Sequence, residues 1–282
     1  MWTYSNKIME QDFTQFLIDI DKVVKEKAPS YYPYIPKFLI SYLKKIIHQD
    51  EINVFLSESR DKVGVDFIAA TMDFLDAKLE VEGMENLPKD RLCTFVSNHP
   101  LGGLDGLALG LILGREYGGV KYLVNDLLMN IHNLAPLFIP INKTGNQSRD
   151  FPKIVQKGFE SDEQLIMFPS GLCSRKIKGQ IVDLEWKKTF IVKSVESKRD
   201  VVPIYFEGRN SNFFYNLANI CKFLRLKFNV AMLYLADEMF KNRGKTFKVV
   251  IGKPIPWQTF NESKKPVEWA GYVKDVVYKL GR

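Results

Sequence analysis

The residues that could do chemistry cluster in a short segment with one histidine and one aspartate. Residues 94–106 read TFVSNHPLGGLDG, so His99 follows an apolar run and Asp105 comes six positions later. A carboxylate that holds one ring nitrogen of a histidine leaves the other nitrogen free to take a proton. Such a pair can deprotonate a hydroxyl or an amine, and it typically accelerates a reaction by about 10²–10⁴-fold. We therefore predict that His99 is a general base and that Asp105 orients it.

Two plainer interpretations fit the same residues. His99 could be an ordinary turn residue, and Asp105 could only cap the helix that follows. Gly102 and Gly103 favour the catalytic interpretation, because glycine lets a chain turn back sharply and bring the carboxylate to the ring. The backbone N–H groups of this turn, or of a helix start, are candidate donors to an oxyanion.

Hydrophobic periodicity predicts the elements that must position this pair. Between residue 78 and the C-terminus, β-rich runs alternate with amphipathic stretches, which is typical of a mostly parallel sheet flanked by helices. We predict an α/β domain over residues 78–282 with about seven strands. The predicted strands are 79–82, 92–97, 120–124, 137–141, 165–168, 201–206 and 247–251. The predicted helices are 105–117, 148–160, 186–197, 213–240 and 267–280. His99 would then lie at the carboxyl end of a strand, where such sheets place their ligands.

Residues 1–77 are predicted to form an N-terminal helical extension. Apolar periodicity predicts helices over 12–27, 37–47 and 61–77, and prolines at 29, 33 and 36 separate the first two. Residues 31–47 combine aromatic and apolar side chains with lysines, which is typical of a helix that lies in a membrane interface. The alternative is a helix that only packs against the sheet.

Composition narrows the classes of partner. The 282-residue chain has a formal net charge of +7 and a pI near 9.1, which favours an anionic partner. It contains no nucleic-acid motif, so a membrane surface or an acidic carrier protein is expected. The three cysteines lack metal-ligand spacing, so no metal is expected and a reducing compartment fits. The N-terminus has no apolar signal core, and no stretch has the ~18 apolar residues that span a bilayer. We expect a protein bound peripherally to the inner face of the cytoplasmic membrane.

Four blocks, in order, resemble the lysophospholipid and glycerol-phosphate acyltransferase family. The segment around His99 and Asp105 is similar to its first motif, although five residues rather than the usual four separate the pair. Residues 136–143 (PLFIPINK) are similar to the second motif. Residues 168–175 (FPSGLCSR) resemble the third, usually FPEGTRS, with Ser170 in place of the acid. Residues 202–208 resemble the fourth, and 252–255 (GKPI) a further recurrent element. The resemblance covers about residues 79–256.

This resemblance implies transfer of a fatty acyl group from acyl-CoA or acyl carrier protein to a lyso-lipid, with no bound cofactor. Arg175 is the strongest candidate anion clamp, because a guanidinium can grip a carboxylate or phosphate through two parallel hydrogen bonds. Lys143 and Arg209 are second choices. The full set of expected substrate contacts is Asn98, Gly102, Gly103, Asn142, Lys143, Ser170, Gly171, Ser174, Arg175 and Arg209.

Residues 209–220 (RNSNFFYNLANI) resemble a hemolysin-like branch of the family that includes acyltransferases of glycine and ornithine lipids. The acceptor would then be the hydroxyl or the amine of an acylated amino acid. Two alternatives stay open. One is a lipid esterase with Ser170 as nucleophile, although Phe168 and Leu172 occupy the positions where a nucleophile elbow has glycines. The other is a membrane-binding protein that has lost catalysis.

Overall fold

The computed structural model of the protein describes residues 17–124, 131–140, 151–226 and 229–282. The strands in these ranges are β1 Lys78–Glu82, β2 Cys93–Ser97, β3 Val120–Val124, β4 Phe138–Pro140, β5 Gln164–Met167, β6 Arg175–Ile177, β7 Gln180–Val182, β8 Asp200–Phe206 and β9 Thr246–Ile251. The α-helices are α1 Ile20–Lys27, α2 Lys37–Ile46, α3 Gln49–Glu58, α4 Gly64–Phe74, α5 Leu104–Tyr117, α6 Phe151–Phe159, α7 Thr189–Glu196, α8 Asn212–Phe223, α9 Leu235–Phe240 and α10 Pro266–Leu280.

Seven of these strands form one sheet in the order β1-β9-β8-β2-β5-β3-β4. All neighbours pair in parallel except β8 and β9, so the predicted, mostly parallel seven-stranded α/β fold is confirmed. Strand β2 lies between β5 and β8, and all three run in the same direction. Their carboxyl ends therefore meet at one edge of the sheet, and His99 lies just beyond the end of β2.

Helices cover both faces of the sheet. Phe95 belongs to a large cluster with side chains of α3, α4 and α5, whereas Val96 packs with side chains of α7 and α10. Successive residues of a strand face opposite sides of the sheet, which is why these neighbours join different clusters. Helices α3 and α4, from the predicted extension, thus share a core with the sheet. The division of the chain at residue 78 stays a prediction.

Replacing Ile68 of α4 with alanine should test whether this helix unfolds together with the seven-stranded sheet. Ile68 is buried, and its Cδ1 lies only 2.7 Å from where a Cβ on Gly110 of α5 would be. We expect the free energy of unfolding in urea to fall by about 2–5 kcal/mol within one cooperative transition. The exposed Val54→Ala on α3 should change it by less than about 0.5 kcal/mol. A separate early transition would instead indicate an independent N-terminal unit.

Several predicted helix bounds were wrong. The single helix predicted over 213–240 is broken, because α8 ends at Phe223 and Arg225 adopts a left-handed conformation with φ of 51°. A 3-10 helix, Val230–Tyr234, follows before α9 begins. Helix α3 and the β6–β7 hairpin were not predicted. Residues 12–16 of the first predicted helix lie outside the described residues.

Candidate active site

His99 and Asp105 meet at the carboxyl edge of the sheet. His99 Nδ1 lies 3.0 Å from Asp105 Oδ2, and the carboxylate is fully buried in the first turn of α5. A carboxylate accepts hydrogen bonds, so in the neutral ring we assign the proton to Nδ1, and Nε2 then presents a lone pair. The contact expected from the sequence is therefore present, although five residues separate the pair.

The glycine-rich turn holds the carboxylate in place. The N–H groups of Leu101 and Gly102 donate to Asp105 Oδ2, and the N–H of Gly106 donates to Oδ1. Gly102 has φ of +82°, and a Cβ there would also come within 3.2 Å of the Cβ of Cys173. The N–H groups of Leu101 and Gly102 are thus already engaged, which removes them as the oxyanion donors considered from the sequence. Gly103 faces open space, since a Cβ there would meet no atom within 4 Å.

Opposing effects set the pKa of each partner. Burial lowers the pKa of His99, but the charge and the hydrogen bond of Asp105, helped by Asp183, outweigh burial and raise it above its usual value. Burial raises the pKa of Asp105, but the charge and the hydrogen bond of His99 and the backbone donors outweigh burial and lower it. Asp105 is therefore ionised at neutral pH. Only the neutral ring of His99 can act as a base, and the neutral form becomes dominant once the pH exceeds the raised pKa of His99.

The ring of His99 is packed against an aromatic side chain. Phe168, just after β5, stacks on it with ring centroids 4.0 Å apart and an interplanar angle of 25°. The His99 side chain is 15% exposed, and its Nε2 has no hydrogen-bond partner among the described residues. Phe168 thus fixes the plane of the ring and leaves Nε2 available to a substrate. The sequence placed Phe168 in a motif but did not predict this contact.

A second buried carboxylate anchors the backbone of His99. Asp183 Oδ1 accepts hydrogen bonds from the His99 N–H at 3.2 Å and from Ser174 Oγ at 2.6 Å. Its Oδ2 accepts one from Trp186 Nε1 at 2.9 Å. The Ser174 N–H donates in turn to the His99 carbonyl at 2.7 Å. Sequence analysis missed Asp183. The one available signal was an acid between apolar residues, Val182 and Leu184, in the segment 181–186.

Asp183→Asn should shift the pH profile of the enzyme. Its charge helps to raise the pKa of His99, so the acid limb of kcat/KM should move to lower pH. Loss of orientation should also lower kcat by about 10–100-fold. The exposed Glu185→Gln in the same loop is the matched control, and it should leave both quantities unchanged. A lower rate with an unmoved limb would mean that Asp183 only supports the fold.

Two further predicted contacts are occupied within the protein. Asn98 donates from Nδ2 to the Phe206 carbonyl and accepts from the Phe206 N–H at Oδ1, both at 2.8 Å. It thereby ties the end of β2 to the end of β8. The Ser174 hydroxyl donates a hydrogen bond to Asp183, and Ser174 is almost fully buried. In this structure both side chains position the turn that carries His99.

Arg175 is a buried cation without an acidic partner. Its side chain is 8% exposed, and no carboxylate lies within ion-pair distance among the described residues. Nη1 donates to the carbonyl of Cys173 and, at 3.2 Å, to that of Ser174. The guanidinium carbon lies 5.8 Å from the centre of the Phe214 ring. A buried guanidinium with donors to spare suits an anion carried by the substrate.

The remaining predicted contacts lie in different settings. Ser170 is buried, and its hydroxyl donates to the Leu172 carbonyl at 2.8 Å, with no bond to His99. This geometry gives no support to a serine nucleophile. Gly171 adopts φ of +69° beside Lys187, and the exposed Arg209 bonds to Asn212. Asn142 and Lys143 lie outside the described residues.

One buried polar atom near the site stays unpaired. Asn210 Nδ2 donates to the Pro100 carbonyl, and its backbone N–H donates to the hydroxyl of Tyr215. Asn210 Oδ1 is buried and has no partner within the described ranges. The sequence did not single out this residue.

Two surface grooves lie away from His99. One, of about 510 Å³, is lined by α4, α5 and β1 residues such as Met72, Leu79 and Ile112. The other, of about 250 Å³, includes Lys121 and Ile139. Neither groove includes His99 or Asp105. Across the described residues, no three or more histidine, cysteine, aspartate or glutamate side chains are grouped to hold a metal ion.

The fold and the site define an α/β enzyme with a histidine–carboxylate pair at the sheet edge, and comparison with known proteins gives its family. The family model described as "Acyltransferase" matches residues 22–281, and the chain belongs to that family. The predicted family and enzyme class are thus confirmed: the protein is an acyltransferase of the class that transfers groups other than aminoacyl groups.

Two curated proteins share about 70% of their residues with this chain. One, from Bacteroides thetaiotaomicron, is 71% identical over 270 residues, covering 95% of this chain and 99% of that protein. The other, from Phocaeicola vulgatus, is 69% identical over 270 residues, covering 95% and 97%. Both are named lyso-glycine lipid O-acyltransferase.

A solved structure also overlaps the chain. It is the 1-acyl-sn-glycerophosphate (LPA) acyltransferase PlsC from Thermotoga maritima, with a TM-score of 0.44 and 21% sequence identity. The overlap covers 99% of this chain and 89% of that one. A similarity at this level supports no inference about substrate or mechanism.

Proposed function

We propose that this acyltransferase moves a fatty acyl group from acyl-CoA or acyl carrier protein to the free hydroxyl of a lyso-glycine lipid. The observation that carries the mechanism is the 3.0 Å contact between His99 Nδ1 and Asp105, which leaves Nε2 free at the sheet edge. The names of the two relatives, at 71% and 69% identity, support the acceptor.

His99 acts as base and then as acid in the proposed reaction. Nε2 takes the proton of the acceptor hydroxyl while its oxygen attacks the thioester carbonyl carbon. A carbon–oxygen bond forms, and the carbonyl electrons move to a tetrahedral oxyanion. The carbon–sulfur bond then breaks, the electron pair leaves with sulfur, and the imidazolium returns its proton to the thiolate. The products are the O-acylated lipid and a free thiol, and no acyl-enzyme forms.

Arg175 is the proposed clamp for the headgroup. An N-acylated glycine ends in a carboxylate, and a guanidinium without an acidic protein partner can bind it through two hydrogen bonds. Arg175 directly follows Ser174, whose N–H donates to the His99 carbonyl. This backbone hydrogen bond holds the segment that carries Arg175 next to the segment that carries His99. The third motif has Ser170 where the family usually has an acid, which fits an acceptor other than a plain glycerol phosphate.

We also propose that the enzyme works on the inner face of the cytoplasmic membrane, because its acceptor is nearly insoluble in water. Tyr34 and Phe38 are 84% and 75% exposed, beside lysines of α2. Such a surface suits an interfacial location. Among the described helices, none has the length and apolar character to cross a bilayer.

Acceptor competition tests this function. The purified enzyme is given palmitoyl-CoA or palmitoyl-acyl carrier protein, with lyso-glycine lipid or lysophosphatidic acid as acceptor, and products are identified by mass spectrometry. We expect acylated glycine lipid, with kcat/KM at least about tenfold above that for lysophosphatidic acid. Release of free fatty acid that requires Ser170 would instead favour an esterase. No product with any acceptor would favour a protein that has lost catalysis.

A further inference from the structure

Among the acid-free stretches that contain positive charges, two meet in the fold. One runs from residue 28 to 49 and the other from residue 208 to 236, and both are rich in aromatic and aliphatic side chains. The first contains three lysines, and the second contains Arg209, Lys222, Arg225 and Lys227. Acid-free stretches of similar length also occur at residues 127–149 and 239–261, so the placement of these two in the fold decides their role.

The fold brings these two stretches together. Tyr42 of α2 and Tyr234 of the 3-10 helix share a hydrogen bond of 2.8 Å between their hydroxyl oxygens, although 192 positions separate them. The same 3-10 helix, Val230–Tyr234, also packs against α8. Helix α2 and helix α8 thus both contact the 3-10 helix Val230–Tyr234.

Exposed apolar side chains concentrate in these stretches. Five large ones come from each, out of eighteen found in the described residues. In residues 220–226, here called the α8 tip, Phe223 is 86% exposed, and Ile220, Leu224 and Leu226 are about half exposed. Isolated exposed apolar residues are ordinary, but a contiguous group of this kind marks a binding surface.

The exposure of the α8 tip is a fixed feature of the fold. The opposite side of α8 is buried, with Phe214 and Tyr215 at 0% exposure, and the Ser211 hydroxyl caps the helix by accepting from the Phe214 N–H. Phe223 therefore cannot turn inward without unpacking that side. Lys222 and Arg225, both exposed, flank it.

We propose that the α8 tip is a second membrane-contact element that binds an anionic bilayer together with α2. Cations attract anionic headgroups, worth about 1 kcal/mol for each Lys or Arg near the surface, and the apolar side chains enter the interface. The α8 tip itself contains no acidic residue that an anionic surface would repel. Helix α8 also carries Phe214, which packs against Arg175, so the contact lies on an element of the proposed headgroup site.

Vesicle binding by matched variants tests the proposal. The full chain is titrated with vesicles of equal parts phosphatidylglycerol and phosphatidylethanolamine, and with phosphatidylcholine vesicles. Phe223→Glu should weaken partition into the anionic vesicles by about tenfold or more. Lys222→Glu with Arg225→Glu should weaken it similarly and flatten its salt dependence. Val267→Glu on α10, where Val267 is 41% exposed, is the control and should leave binding unchanged.

A site-specific probe checks the location of the contact. The three native cysteines are buried, so a cysteine introduced by Phe223→Cys is labelled selectively with an environment-sensitive dye. Its emission should shift to the blue on anionic vesicles, whereas the dye on Val267→Cys should not shift. An unshifted dye at position 223 would overturn the proposal.

Two further measurements distinguish membrane contact from a protein interface and from loss of catalysis. Unchanged vesicle binding by Phe223→Glu, with loss of self-association or of acyl carrier protein binding, would assign the surface to a protein partner and overturn the proposal. Acyl transfer to lyso-lipid in detergent micelles should be the same in Phe223→Glu and in the unaltered protein. If the unaltered protein shows no transfer in micelles, the proposed reaction fails while the vesicle result stands.

Discussion

Replacing His99 with alanine should lower kcat/KM for acyl transfer by about 10²–10⁴-fold. The variant lacks the group that takes the acceptor proton, and no other described side chain bonds to Asp105 from that position. The measurement is initial rate of thiol release from acyl-CoA with lyso-lipid present, using purified protein.

The His99→Ala variant should remain folded, which makes the comparison clean. The bonds of His99 to Asp183 and to Ser174 use its backbone atoms, and alanine keeps them. Asp105 keeps its three backbone donors. Near-normal transfer by a well-folded His99→Ala would reject the general-base mechanism.

Asp105→Asn should lower kcat/KM by a similar factor, about 10²–10⁴-fold, through a different loss. The neutral amide no longer stabilises the imidazolium, and it holds the correct tautomer less firmly. Since the charge of Asp105 raises the pKa of His99, the acid limb of the pH profile should move to lower pH. The variant should therefore keep its own maximal kcat/KM down to a lower pH than the unaltered enzyme does.

Asparagine is a better test here than alanine. Alanine would leave the N–H groups of Leu101, Gly102 and Gly106 without an acceptor, at a cost of about 1–3 kcal/mol for each buried donor. Asparagine keeps an oxygen for part of that set. A pH profile of Asp105→Asn whose acid limb stays in place would show that the carboxylate does not act on His99.

Local patterns in the sequence were enough to predict the sheet and the central pair. All seven predicted strands are present within a residue or two, because each is a short apolar run bounded by polar or turn residues. The contact of His99 with Asp105 was predictable because both lie in one turn, where Gly102 adopts the positive φ that brings the carboxylate back. Local signals of this kind do not depend on the rest of the fold.

Contacts between distant segments could not be predicted in the same way. Asp183 reaches the His99 backbone across 84 positions, and its segment carries no recognised motif. Helix α3 was not predicted, and contacts with distant segments fix it. Asn53 accepts from the Ile18 N–H and Gln49 from the Ile20 N–H, and Phe55 and Leu56 join the main core. The break after α8 depends on the conformation of Arg225, a residue type that ordinarily continues a helix.

A double-variant comparison shows whether His99 and Asp105 act as one unit. The rates of His99→Ala, Asp105→Asn and the combined variant are measured with one acyl donor and one lyso-lipid. Residues that act together are strongly non-additive, so the combined variant should be no slower than His99→Ala alone. Multiplied losses in the combined variant would mean that the two side chains contribute independently, which would contradict the proposed His99–Asp105 dyad.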